Sequence, residues 1–142
     1  MGRHTVLEVV AVADCAIEIE GDDLNDLFVT AAGAVAELMV DPVTIPLAVE
    51  RRVALTAPAL DLLLFDWLSE LIYLKDSERL VFPLARVRVQ SDSPCSLHAC
   101  LSGGVIDRER TELRADPKAV TLHQLTVEPL ARGWRARVVI DI

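Results

Sequence analysis

Two oxygen-bearing residues stand at the end of the sequence, Asp141 and then Ile142 with its main-chain carboxylate. Oxygen donors brought so close suit a hard divalent cation, because magnesium and calcium take oxygen ligands and offset the mutual repulsion of the acids that hold them. A third acid would complete such a site. Asp14, in the short connection between the first two strand-like runs, is the candidate, so the metal ligands read in this way are Asp14, Asp141 and Ile142. Plainer readings compete: Asp141 pairs with Arg135 or Arg137, and Asp14 is a turn-former that bonds its own backbone. Lys118 is the other chemical candidate. Of 14 basic residues only Lys75 and Lys118 are lysines, and an ammonium kept where arginine is otherwise used draws attention to Lys118, which by itself reads as a solvated surface residue.

Other chemistry finds no local support. The chain has no phosphate-cradling glycine motif, no nucleophile elbow and no HExxH. His98 and His123 sit in strand-like runs, on the side of Ser96 and Thr121 respectively, and read as structural histidines. Cys15, Cys95 and Cys100 are odd in number and lack CxxC spacing, which encodes neither a disulfide framework nor a zinc site. Five residues separate Cys95 from Cys100, so on one strand they point to opposite faces.

A net charge of −8 argues against a generic nucleic-acid binder, since phosphate backbones are held by basic patches. No direct strong nucleic-acid binding is expected. The charge suits an acidic protein that docks on a basic partner. Although 52% of the 142 residues are hydrophobic, no apolar run approaches the ~20 residues that span a bilayer. The expectation is one cytoplasmic domain over residues 1–142, with no membrane partner and no oligomeric state encoded in these patterns.

The elements that must position the candidates follow from periodicity. Residues 5–12 and 16–20 read as strands, with Asp14 between them. Asp22 or Asp23 caps a helix whose apolar face, from Leu24 through Leu38, lasts to about residue 40, with Asp26 completing a capping box. Gly33 inside it hints at close packing against a neighbour. Residues 47–55 read as an edge or surface strand carrying Glu50, Arg51 and Arg52. Pro58 marks the first turn of a second helix, apolar nearly all round through Tyr73 and so buried on most sides. Lys75 to Arg79 read as a polar turn. Residues 80–90, with Pro83 at an edge or bulge, and 95–101 form a hairpin. Gly103-Gly104 and Asp107 to Asp116 read as flexible loop, and strands 119–128 and 134–142, joined at Ala131-Arg132-Gly133, finish the chain. The order ββαβαββββ is α+β, two helices packed on antiparallel or mixed sheet.

Four blocks taken together resemble the archease family: Asp14-Cys15-Ala16-Ile17; the helix from Phe65 to Leu74, Phe-Asp-Trp-Leu-Ser-Glu-Leu-Ile-Tyr-Leu, with Asp76-Ser77-Glu78 after it; Lys118-Ala119-Val120-Thr121-Leu122-His123; and Val138-Val139-Ile140-Asp141-Ile142. The resemblance implies a small non-enzymatic α+β protein that assists an RtcB-type tRNA-splicing RNA ligase, promoting guanylylation of the ligase and multiple turnover. It also implies that Asp14, Asp141 and Ile142 hold a divalent metal, calcium foremost with magnesium or manganese as substitutes, and that Lys118 takes part in activating the partner. The alternatives are a chaperone-like modulator of another nucleic-acid enzyme and a metal-dependent phosphohydrolase; the latter needs a general base and more ligands than the sequence offers. The chain departs from the family pattern at Ala11-Val12-Ala13-Asp14, where His-Thr-Ala-Asp is usual. Gly104 and Thr111 stand where many members have Glu and His, and Leu122 where an aromatic residue is frequent.

Overall fold

The structure, a computed structural model, describes residues 2–11 and 14–142, and of residues 7–11 the backbone alone. Val12, the last residue of the first expected strand, and Ala13 after it lie outside the described residues. Seven strands and two α-helices follow in the expected order: β1 (Arg3–Ala11), β2 (Asp14–Gly21), α1 (Leu24–Met39), β3 (Val49–Ala57), α2 (Leu60–Glu78), β4 (Leu80–Gln90), β5 (Cys95–Val105), β6 (Ala119–Pro129) and β7 (Trp134–Asp141), with a short 3₁₀ turn at Pro42–Thr44. They build two antiparallel sheets, one ordered β1-β2-β7-β6 and the other β3-β5-β4. Each helix touches both sheets.

Capping fixes where α1 begins. Asp23 accepts from the Asp26 amide at 2.8 Å, and the Asp26 carboxylate accepts in return from Asp22 N (2.8 Å) and Gly2 N (3.1 Å). The first bond satisfies a donor that a helix N-terminus otherwise leaves orphaned, and the other two tie the residues before the helix to its first turn. Helix α2 has no such cap. Its N-cap is Ala59, and Pro58 lies outside the helix rather than in its first turn. Burial stabilises it instead: Leu63, Leu64, Trp67 and Leu68 are fully enclosed, and Trp67 Nε1 donates to Phe28 O of α1 at 2.9 Å, locking the helices together. Both belong to one continuous hydrophobic cluster that also takes in Ile17, Leu97, Leu101, Val138 and Ile140.

Several sequence expectations change. Helix α2 does not give way to a polar turn at Lys75 but continues to Glu78, with Arg79 in the left-handed region at φ 58° as its cap. Gly103 and Gly104 are strand, not loop: a Cβ at Gly103 would lie 2.0 Å from Val81 O, and one at Gly104 2.4 Å from Pro46 O, so glycine is required by close backbone approach. Gly33 reverses its expectation. A Cβ there meets nothing within 4 Å, so Gly33→Ala should stabilise the protein by ~0.5–1 kcal/mol through helix propensity alone, read as a higher urea midpoint.

Pro83 falls at a register irregularity between Val81 and Leu84 on β4, an edge strand, as its missing N–H demands. Beyond it, Val89 N donates to Asn25 Oδ1 of α1 at 2.7 Å, so the helix covers that edge. Among the described residues, no helix is long and apolar enough to cross a membrane.

Candidate functional site

Strand register decides which side chains meet at the end of the four-stranded sheet. β7 lies between β2 and β6, which buries Val139 as well as Val138 and Ile140 and explains why its last residues are apolar on both faces. Along the β2–β7 ladder, Glu18 stands opposite Arg137 and Glu20 opposite Arg135, while Asp14 stands opposite Asp141. The first two rows match acid with base. The last opposes acid to acid. Directly opposed like charges on neighbouring strands are destabilising, and an opposed acid pair is one that a cation between its carboxylates would stabilise. On the other side of β7, Ala119 is opposite Asp141, and Lys118 N donates to Asp141 O at 2.7 Å.

Asp14, Asp141 and Ile142 are half-buried and Lys118 is exposed. The pairing of Asp141 with Arg135 or Arg137 is not seen among the described residues: Arg135 is held by Glu128 at 2.8 Å, and both arginines face glutamates of β2. No three His, Cys, Asp or Glu side chains among the described residues gather to hold a metal ion. The oxygen groups that this end of the sheet offers are the Asp14 and Asp141 carboxylates and the main chain at the adjacent Ile142, a donor type that could hold a hard cation. The backbone thus brings together all four residues singled out from the sequence.

Sequence reasoning missed the group that positions Lys118. Lys75 is only 8% exposed, and its ammonium spends its three donors on Asp76 Oδ1 (2.9 Å), Pro117 O (2.6 Å) and Asp116 Oδ1. A compact ammonium with three divergent donors fits this arrangement, and a planar guanidinium does not. Burial pulls the Lys75 pKa down, but hydrogen bonds and charge from Asp116 and Asp76 outweigh it and leave the pKa raised. The signal was present in the spacing. Lys75 continues the buried positions Leu64, Leu68 and Leu71 at helical intervals.

The segment before Lys118 is tied at its other end as well. Arg114 N and Ala115 N donate to Met39 O (2.9 Å) and Leu38 O (2.8 Å), capping carbonyls at the end of α1. Leu113 bridges to Val40, and the buried Thr111 hydroxyl accepts from Asp107 N at 2.9 Å. The expected flexible loop is instead a strap running from α1 to α2 and delivering Lys118 beside Asp141.

The histidines stay apart from this end row. His98 lies exposed on the outer face of β5. His123 falls where β6 slips register between Thr121 and Thr126, with Gln124 at φ 55°, so strand alternation does not carry through it. Cys95 is buried and Cys100 half-exposed, on opposite faces as spacing requires; Cys15 is buried, which raises its thiol pKa.

Comparison with known proteins places this geometry. The model of the Archease protein family (MTH1598/TM1083) matches residues 7–142. The chain belongs to the archease family. Protein archease of Methanosarcina acetivorans is 37% identical over 132 residues, covering 92% of this chain and 90% of that protein. Protein archease of Archaeoglobus fulgidus is 36% identical, covering 92% and 93%. Among solved structures, the solution structure of Methanobacterium thermoautotrophicum protein 1598 superposes with a TM-score of 0.77 at 29% identity, over 99% of this chain and 98% of that one. The crystal structure of an archease from Thermotoga maritima, described as a possible chaperone, shares the fold at a TM-score of 0.63 and 20% identity, over 97% and 98%. The archease fold is thus the α+β arrangement of two helices and two antiparallel sheets described above.

Proposed function

We propose that this archease is a non-enzymatic, cytoplasmic cofactor protein that binds a divalent cation, calcium foremost, and activates an RtcB-type RNA ligase by promoting its guanylylation and multiple turnover. The observation that carries the reading is the Asp14 and Asp141 row with Lys118 N bonded to Asp141 O. Asp14, Asp141 and the Ile142 carboxylate hold the cation. When bound, it neutralises the opposed acids and ties β2 to the end of β7. Lys118, projecting from the strap, presents an ammonium to the phosphates or acidic groups of the partner's active site. Residues 107–118 supply the rigidity, through Lys75 at one helix end and the Leu38 and Met39 carbonyls at the other. The deciding experiment is multiple-turnover RNA ligation by the RtcB-type ligase of the same organism, with GTP and manganese. Turnovers should rise severalfold when this protein is added and fall back with Lys118→Ala. No rise with an active ligase would remove the reading.

A second reading, a chaperone-like modulator of another nucleic-acid enzyme, is favoured by the exposed apolar residues Val43 (91%), Leu47 (57%) and Val105 (50%), which border one open cavity or the loop beside it. It requires that the folded protein suppress aggregation of an unfolding client.

A further inference from the structure

The three-stranded sheet turns Leu97, Ala99 and Leu101 inward and leaves its other face to solvent. On that outer face, Arg52, Cys100 and Arg86 form one cross-strand row, and Ala54, His98 and Arg88 the next. Arg52, Arg86 and Arg88 on the flanking strands rise beside shorter side chains and bound an open trough of about 880 Å³, lined also by Gln90, His98 and Cys100. All three arginines are exposed. Three arginines elsewhere are neutralised by a carboxylate: Arg3 by Glu20, Arg51 by Glu78 and Arg135 by Glu128. Among the described residues Arg52, Arg86 and Arg88 have no carboxylate partner, and the acid on the same face, Glu50, stands one row beyond Arg52. In a chain of net charge −8, three unneutralised guanidiniums in two adjacent rows are a local reversal that the average conceals.

We propose that this trough binds the phosphate backbone of a single nucleic-acid strand, weakly and without regard to sequence. Guanidinium forks match phosphate oxygens in bidentate fashion. Arg86 and Arg88, two residues apart on an extended strand, are rooted ~7 Å apart, the step between successive phosphates of an extended strand. Arg52 stands two strand spacings from Arg86, roughly 10 Å, which admits one strand between the walls and not a duplex. The trough follows β5, so a continuous chain of charges fits it better than the scattered carboxylates of a folded acidic surface. The face carries no Phe, Tyr or Trp on which bases could stack, so the contacts position a backbone and read no bases. With three contacts on an acidic protein, binding is weak and salt-labile.

The test is fluorescence anisotropy of a labelled oligouridylate titrated with the intact protein at rising salt. About 0.7 of the slope of log K against log salt comes from each neutralised phosphate of a single strand, so three contacts give a slope of about −2 and roughly fifteenfold weaker binding at 200 mM than at 50 mM salt. The double variant Arg86→Gln, Arg88→Gln should lose less than about threefold over the same range. Arg132→Gln, in the β6–β7 turn, keeps the wild-type slope, and unchanged melting of each variant shows that the fold is intact. Absence of binding at 50 mM salt, or a slope unchanged in the double variant, overturns the proposal. So does displacement of the oligouridylate by polyglutamate at equal charge, which would assign the trough to an acidic protein.

Discussion

Calcium should raise the melting temperature of the wild-type protein and leave Asp14→Asn and Asp141→Asn unmoved. A ligand that binds only the folded state stabilises it by about 2.7 kcal/mol at a hundredfold excess over its dissociation constant, and the proposed cation would sit between the opposed acids Asp14 and Asp141. In the presence of chelator the order reverses. Each asparagine variant lacks the like-charge opposition and should melt at or above the wild type, by up to ~1 kcal/mol. That crossing of the two curves separates a metal site from a structural acid pair, because a merely structural role predicts the variants to be weaker under both conditions. In the ligation assay the same two variants should fall to the turnover of the ligase alone. A calcium-dependent shift retained in both variants would sink the assignment.

Lys75→Met should destabilise the protein by ~1–3 kcal/mol, because the buried Pro117 carbonyl loses its donor. Lys75→Arg should restore little of it, since a planar fork cannot reach three divergent acceptors. The pH dependence carries its own signature. The folded pKa of Lys75 lies above the ordinary 10.5, so its contribution is complete below that value and is lost as pH rises through the folded pKa. Wild-type stability should fall at strongly alkaline pH by an amount missing from Lys75→Met. Hydrogen exchange at the Lys118 amide, bonded to Asp141 O, reports the functional side: it should accelerate in Lys75→Met while amides in the centre of β5 stay protected. Unchanged exchange at Lys118 would show that Lys75 only stabilises the fold.

What the sequence revealed and what it hid divide along the range of the forces involved. Alternation and helical spacing are local, and they located all nine elements, the Asp23 and Asp26 capping box and the irregularity at Pro83. Asp14, Asp141, Ile142 and Lys118 were singled out because strand ends and family resemblance both point to them, and the register places them at one end of the four-stranded sheet. The partition into two sheets was not legible, because β2 pairs with β7 across more than a hundred residues and no local pattern encodes that choice. Lys75 escaped because a charge is assumed to be solvated, and only Asp116 and Pro117, far along the chain, show otherwise. Net charge hides local placement in the same way. It is a sum over the chain, whereas Arg52, Arg86 and Arg88 become neighbours only when β3 and β4 flank β5.

Helix α1 lying along β4, with Asn25 occupying Val89 N, has a consequence for assembly. An open sheet edge is a template on which another chain can add a strand and begin a fibre. On β4 that route is closed by the helix at one point and by a proline without a donor at another. Growth of the three-stranded sheet past β4 is therefore blocked, and a crowded solution of this protein has no seed for polymerisation on that side.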